Sequence, residues 1–536
     1  MAKKPKSAKS SRTPPTPAAA AAPGGALENR RAAAVKLVLA GLAVVAFYLA
    51  ARIAAPAPWS YDEYYHLGVA RELRSHFPLR SFPWTPFSIL SDHYADKEPL
   101  FHLLLMPFAG LPIEQAGLAG AALGQLFSTA AFAAVLWRLR VRRAWAYVLG
   151  LAALGSMFAM RFDMCRPHLL LMGFSVLMLG LLIVEARGAV LLAAAALFGL
   201  AHAGGWIAIV YAAAWALAGL LAGPAGREPG ARRFLWRPIA WIAAGWTLGQ
   251  LVHPNFPQNL KLLALQTLVV PFEASPAGNA ALRSQIGEEL SAPGIAILAE
   301  QWTVFLAPAL VLAVLLREPR LRTRATVTCA AVAIGFLLIG SLFLRRLIEL
   351  GAPLGILALA VLAWEREKQG PQACGRLLGG WGPWIAAFAL AIGSLWTSIT
   401  VRSYGFGQVS APQEMARWLG EHGQRGARVF TAQWADSAPL FYSAPQLQSL
   451  VALDPTFFYA RDPARFREYV DLVQGRRTDE TTAADAVRRH FAARYVTLWR
   501  NPVFESFARQ LVAAPRVAEV YRDPYYLVLD LSPPGR

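Results

Sequence analysis

Long apolar runs separated by short, charge-rich breaks dominate the chain as far as residue 401, and a different pattern follows. The run at 34–55 is long enough to cross ~30 Å of hydrocarbon as a helix. Similar runs at 115–137, 144–160, 167–186, 188–203, 205–222, 236–253, 302–317, 325–343, 347–364 and 381–400 predict further spans, about eleven in all. Pro99–Leu111 is too short to cross and reads as an interfacial helix. After 402, helical spacing covers Glu414–Glu421, Pro463–Val473, Thr482–Ala492 and Val503–Ala513. Strand patterns cover Arg428–Ala432, Gln448–Ala452, Tyr495–Leu498, Val517–Tyr521 and Tyr525–Leu531. The expected fold is a polytopic α-helical membrane protein with a C-terminal soluble α/β domain. Its parts are a basic tail at 1–33, a membrane domain at 34–401 with a first outer loop at 56–114, and the α/β domain at 402–536.

Composition agrees: of 536 residues, 56% are hydrophobic and only 16% charged, against about a quarter charged in soluble domains. The net charge of +19 resembles a nucleic-acid signal until its cations are located. Lys3, Lys4, Lys6 and Lys9 precede the first span. Arg138, Arg140, Arg142 and Arg143 follow the second, Arg227, Arg232 and Arg233 the sixth, and Arg317, Arg320, Arg322 and Arg324 the eighth. A cytoplasmic N-terminus puts all of these groups inside, as the positive-inside bias requires. It also places 56–114, 161–166, 254–301 and everything beyond 401 outside. The expected setting is a bacterial-type inner membrane, with the bilayer rather than nucleic acid as partner. Ile53-Ala54-Ala55-Pro56 has the small residues of a cleavage site, but the long preceding tail favours an uncleaved anchor. Cys165, Cys329 and Cys374 match no metal spacing, and none lies after 374, so the C-terminal region has no disulfide framework.

Candidate chemistry collects in the loops assigned to the outside. In Ser60-Tyr61-Asp62-Glu63-Tyr64-Tyr65-His66, two carboxylates follow a span at the start of a helix, and His66 lies one turn after Asp62. Such carboxylates can accept a proton or hold a hard divalent cation. Alternatively, Ser60-x-x-Glu63 is a capping box, and Asp62 complements the helix N-terminus. Next comes Ser91-Asp92-His93-Tyr94-Ala95-Asp96-Lys97-Glu98-Pro99, where Lys97 beside a Pro-initiated helix can attract a phosphate. His93 and Asp96 are candidate substrate contacts there, with a solvated loop as the alternative. A third cluster, Arg161-Phe162-Asp163-Met164-Cys165-Arg166, closes a span, and a charge-balanced pair competes with a functional role for Arg161 and Asp163. Glu288 and Glu289 lie in a later outer segment. Arg345 and Arg346 can grip a lipid phosphate or snorkel.

Asp62-Glu63-Tyr64-Tyr65-His66-Leu67, Phe77-Pro78-Leu79-Arg80 and Glu98-Pro99-Leu100-Phe101 together resemble the first outer loop of GT-C glycosyltransferases. The likeness is to the oligosaccharyltransferase catalytic subunit, and Lys97-Glu98-Pro99-Leu100 is similar to the Lys-Pro-Pro-Leu region of aminoarabinose and protein O-mannosyl transferases. The resemblance implies transfer of a sugar from a polyprenyl-phosphate carrier to a glycan, lipid or protein acceptor on the outer face. It implies Asp62, then Glu63, as base or metal ligand, and Asp163 as the second acid. Glu288 or Glu289 would be the later acid, Lys97 would lie near the carrier phosphate, and Arg345 or Arg346 would grip it. A divalent cation, Mg or Mn, on Asp62 and Asp163 is the implied cofactor. Gln433-Trp434-Ala435-Asp436-Ser437 departs from the Trp-Trp-Asp motif that reads the acceptor sequon in oligosaccharyltransferases, and Cys165 stands where a second acid is expected beside Asp163.

The reading is a hexosyl- or pentosyltransferase of GT-C type. An oligosaccharyltransferase-like enzyme is the alternative within that class. A lipid-linked sugar flippase would need polar residues deep in several spans, and the spans here are mostly Ala, Leu and Gly. His202 is the exception and reads as a packed or interfacial histidine. A scaffold would not need Asp62-Glu63.

Overall fold

The computed structural model describes residues 23–54, 57–221, 235–273, 275, 278–285, 287, 290–369, 389, 391–399, 407–451, 454–476 and 482–532. The Ala- and Leu-rich runs fold as helices because no other local structure satisfies the backbone in an apolar setting. In chain order these are α1 (Pro23–Ala54), α2 (Tyr61–Leu73), α3 (Pro99–Leu105), α4 (Ile113–Leu139), α5 (Ala144–Leu149), α6 (Gly155–Asp163), α7 (His168–Ile183), α8 (Gly188–Ala201), α9 (Ile207–Leu221) and α10 (Arg237–Leu251). Thr303–Arg317, Arg324–Leu342 and Ile348–Lys368 follow, with the last two packed side by side.

Among the described residues, five helices are long and apolar enough to cross a membrane: Arg30–Ala54, Ile113–Leu139, Ala203–Leu221, Arg324–Leu342 and Arg345–Lys368. A sixth is possible if Ala144–Ala153 and Gly155–Asp163, which meet at 95°, form one broken span. This differs from the expected eleven. The runs near 167–186, 188–203 and 302–317 fold as shorter apolar helices. The first of them ends where Glu185 turns left-handed at φ 50. Half of 381–400 lies outside the described residues.

The loop after α1 carries α2 back against the bundle, where it packs on α3, α4 and the later helix Ser437–Ser443. One apolar core runs through the bundle and continues into Ala438, Phe441 and Phe457. Beyond it lies a four-stranded sheet of β1 (Val429–Thr431), β2 (Tyr495–Trp499), β3 (Ala518–Arg522) and β4 (Tyr526–Asp530), in the order β1-β2-β4-β3. β1 pairs parallel to β2, with Val429 opposite Tyr495, and the other pairings are antiparallel. Helices Pro463–Val473, Ala483–Phe491 and Glu505–Val512 occur close to their expected places.

Gln448–Ala452 is not a strand in its described part. It makes a single parallel bridge, Arg428 to Gln448, and the Ser449 N–H donates instead to Trp84 O at 2.8 Å. The segment ties the C-terminal region to the first loop. Two helices that the sequence pattern did not predict, Ser437–Ser443 and Pro455–Arg461, complete that contact.

Candidate functional site

The two adjacent carboxylates at the start of α2 have different surroundings. Ser60 is the helix N-cap, but its hydroxyl makes no cap bond, so the capping box does not form. Glu63 is fully buried and takes Arg52 in two-point contact, at 2.8 and 2.6 Å. Its Oε1 also accepts the Cys165 N–H at 3.0 Å. Arg52 donates further to the Asp163 carbonyl at 2.5 Å. The Asp163 carboxylate accepts from Gln125 Nε2 at 2.7 Å. Glu63 and Asp163 thus meet in one dry knot among α1, α2, α4 and α6. Gly117 on α4 is required there, because a Cβ would lie 2.5 Å from Arg52 Nη2 and 2.8 Å from Glu63 Oε2.

Asp62 takes another direction. Its side chain is 18% exposed and is ion-paired with Arg166, which lies in the loop between α6 and α7. One turn later the buried His66 hydrogen-bonds through Nδ1 to His102 Nε2 at 2.8 Å. His102 Nδ1 meets the Asp96 carboxylate at 2.7 and 2.8 Å. An ionised Asp96 only accepts, so His102 Nδ1 carries a proton, and in neutral His102 Nε2 accepts from His66 Nδ1–H. This leaves the lone pair of neutral His66 on Nε2.

Burial, reinforced by His102, Arg166, Lys97 and His168, pushes the His66 pKa well below the usual imidazole value. Burial alone would raise the Asp96 pKa, but His102, the Glu98 amide and His253 outweigh it and keep that carboxyl low. Glu98 is raised, chiefly by burial.

Cations gather on this side of α2. Lys97 is half-buried and makes no ion pair among the described residues; its ammonium lies 5.6 Å from the Phe457 ring centroid. Lys97 and Asp96 line a cleft with Ala203, Gln250, His253 and Asn259. Arg346 lies within electrostatic reach of Glu98, His168 and His202. Arg161 pairs with Glu349 at 2.6 Å, and its carbonyl accepts from His168 Nε2 at 2.5 Å. Arg345 is half-buried, with its amide bound to Ser291 O at 3.0 Å. His93 is exposed, and Glu288 and Glu289 lie outside the described residues.

Among the described residues, no three His, Cys, Asp or Glu side chains converge as metal ligands. Asp62 is engaged by Arg166, and Asp163 by Gln125. Asp163 Oδ2 has no hydrogen-bond partner among the described residues, but no third ligand joins it there to complete a set for the divalent cation expected on this pair.

The C-terminal region closes over α2 from the other side. Gln433 Nε2 donates to Tyr61 Oη at 3.2 Å, and Arg71 lies 4.0 Å over the Tyr442 ring centroid. Tyr526 donates to buried Asp436 at 2.7 Å. Burial pushes the Asp436 pKa up to about 7, against the Tyr526 hydrogen bond. Sequence reasoning passed over Arg52, Gln125 and His102 as site residues. Two of these lie inside predicted spans, where an ionisable or amide side chain is itself a signal of a buried partner.

Helices of spanning length, a first loop folded back as α2, and an appended C-terminal unit define a class of architecture. The chain has the GT-C fold of membrane glycosyltransferases. It is similar to the oligosaccharyltransferase of Archaeoglobus fulgidus in its apo form, at 14% identity and TM-score 0.56, over 87% of this chain and 69% of that one. It is equally similar to ArnT from Cupriavidus metallidurans, solved bound to undecaprenyl phosphate, at 15% identity and TM-score 0.56, over 96% and 100%. Arabinofuranosyltransferase AftD from Mycobacteria matches at 16% identity and TM-score 0.53, over 94% of this chain and 40% of that one. No family model matches the chain, and no curated protein does.

Proposed function

We propose that the chain is a membrane glycosyltransferase that moves a hexose or pentose from a polyprenyl-phosphate carrier to an acceptor at the extracytoplasmic face. The observation that carries this reading is the placement of Asp62. It stands at the start of α2, paired with Arg166 and partly exposed to solvent, on a fold shared with enzymes that include one solved with undecaprenyl phosphate. The positive-inside bias supports a cytoplasmic N-terminus and an outward-facing C-terminal region.

In this reading Asp62 accepts the proton of the acceptor hydroxyl or amide as its oxygen or nitrogen attacks the anomeric carbon. The anomeric C–O bond breaks on the opposite face, and its electron pair leaves with the phosphate. Lys97, Arg166 and Arg346 stabilise that developing charge. Arg166 also orients Asp62, so that arrival of an anion loosens the ion pair and frees the carboxylate as a base. The C-terminal region positions the acceptor above α2. This chemistry needs only side chains among the described residues.

The test is reconstitution in proteoliposomes with a panel of radiolabelled undecaprenyl-phosphate-linked sugars and an envelope extract as acceptor. Wild-type protein should release undecaprenyl phosphate from at least one donor, and Asp62→Asn should not. Equal release by both proteins would remove Asp62 from the mechanism.

A further inference from the structure

His202 sits where α8 hands over to the turn Ala203–Trp206, with an extended backbone at φ −160 and ψ 138. Its Nδ1 accepts the Gly204 N–H at 2.8 Å. A ring that accepts at Nδ1 carries its proton on Nε2. That Nε2 is buried and has no hydrogen-bond partner among the described residues. Folded proteins rarely leave a buried N–H without an acceptor, and such a group asks for an explanation.

The surroundings supply one. The groups acting most strongly on the ring are all cationic: Arg346, Lys97, Arg166 and Arg161. Arg161 and Arg166 hold the carboxylates Glu349 and Asp62. The neighbouring Ala203 shares a cleft with Lys97. An orphaned donor near Lys97, which makes no ion pair among the described residues, complements an anion whose oxygens would satisfy the donor and pair the ammonium at once.

We infer that His202 Nε2–H donates to a non-bridging oxygen of a phosphate bound beside Lys97, and that this phosphate is the headgroup of the polyprenyl carrier. The inference rests on the proposed function and adds a neutral, direction-specific ligand to its cations. The Gly204 N–H is the positioning group. By occupying Nδ1 it keeps the proton on the nitrogen that faces the anion.

The experiment uses full-length protein in nanodiscs titrated with undecaprenyl phosphate, phosphatidylglycerol or inorganic phosphate. His202→Asn is the informative variant, because its Oδ1 can still accept the Gly204 N–H while its shorter amide places no donor at the Nε2 position. Its unliganded thermal midpoint should match wild type, and its affinity for undecaprenyl phosphate should fall about ten- to hundredfold. As a second measurement, the wild-type His202 Nε2–H resonance should show coupling or proximity to phosphorus when the lipid is added.

Wild-type affinity in His202→Asn, with Lys97→Ala weakened, would overturn the inference and leave the proposed function standing. No binding of undecaprenyl phosphate by wild type would overturn the proposed function itself. Equal, His202-dependent binding of phosphatidylglycerol or of inorganic phosphate would mark a general anion site and overturn the assignment to the carrier.

Discussion

Asp62 and Glu63 are chain neighbours with the same chemistry, yet one is ion-paired with Arg166 at a partly exposed position and the other is sealed into the bundle. Glu63 has a two-point partner in Arg52 and a backbone donor in Cys165, at 0% exposure. Asp62 has one partner, Arg166, and both side chains keep some contact with solvent. A buried carboxylate that accepts three hydrogen bonds, two of them from an arginine, holds its position and is a poor proton acceptor. One held by a single, partly solvated cation can exchange that partner for a substrate. Successive residues of a helix point about 100° apart, so a single α2 turn presents one acid to each side.

The comparison breaks most severely at Arg52. Arg52→Ala leaves Glu63 charged and unpaired in the core, which should cost about 3–5 kcal/mol of stability. The loss would be read as a large fall in thermal midpoint in detergent. Exchanging both partners, Arg52→Met with Glu63→Gln, should recover much of it.

A second break lies where α2 meets the C-terminal region. The Asp436 carboxyl titrates at about 7 in the folded chain, against 3.8 ordinarily. Below about pH 4 it is protonated whether folded or not, so it adds no pH dependence there. Between about 4 and 7 the unfolded chain releases the proton and the folded one keeps it, so stability falls as pH rises. Each unit of difference is worth roughly 1.4 kcal/mol, giving a decline of a few kcal/mol that is complete above about 7. Asp436→Asn should flatten this slope in melts recorded from pH 5 to 8. An unchanged slope would show that Asp436 is not the group responsible.

Docking can be perturbed without touching a charge. A Cβ at Gly68 would sit 2.5 Å from the Phe441 ring of Ser437–Ser443. Gly68→Val should therefore cost about 1–3 kcal/mol by overpacking, with earlier proteolysis of the C-terminal region. The smallest expected effect is at Tyr61. Tyr61→Phe removes the acceptor of the Gln433 bond and should cost about 1 kcal/mol. A loss as large as that of Arg52→Ala would show that the contact does more than align the two parts.

The sequence pattern located almost every helix of the bundle, because a run of Ala and Leu has one way to satisfy its backbone in an apolar setting. Among the described residues fewer of these runs form helices of full spanning length, since hydropathy alone does not reveal where a run stops, as at Glu185 or at the extended His202. β1 to β4 were legible as short runs rich in β-branched and aromatic residues. Gln448–Ala452 shares that pattern but spends its backbone bond at Ser449 on Trp84, a partner far away in the chain. Asp62, Glu63, Asp163 and Lys97 stood out as charges beside spans. Their separation into a buried knot and a partly exposed side did not, because it depends on Arg52 and Gln125 from other helices. The Ser60-x-x-Glu63 spacing suggested a cap that Arg52 pre-empts with a charged, two-point bond.

The division between the two acids is tested most directly by measuring carrier release per folded molecule for Asp62→Asn and Glu63→Gln side by side in the same proteoliposomes. Asp62→Asn should melt like wild type and turn over at least ~100-fold more slowly. Glu63→Gln should melt well below wild type, while its folded fraction turns over at a near-normal rate. Full turnover by Asp62→Asn, or a silent but fully stable Glu63→Gln, would reverse the roles given to these neighbours.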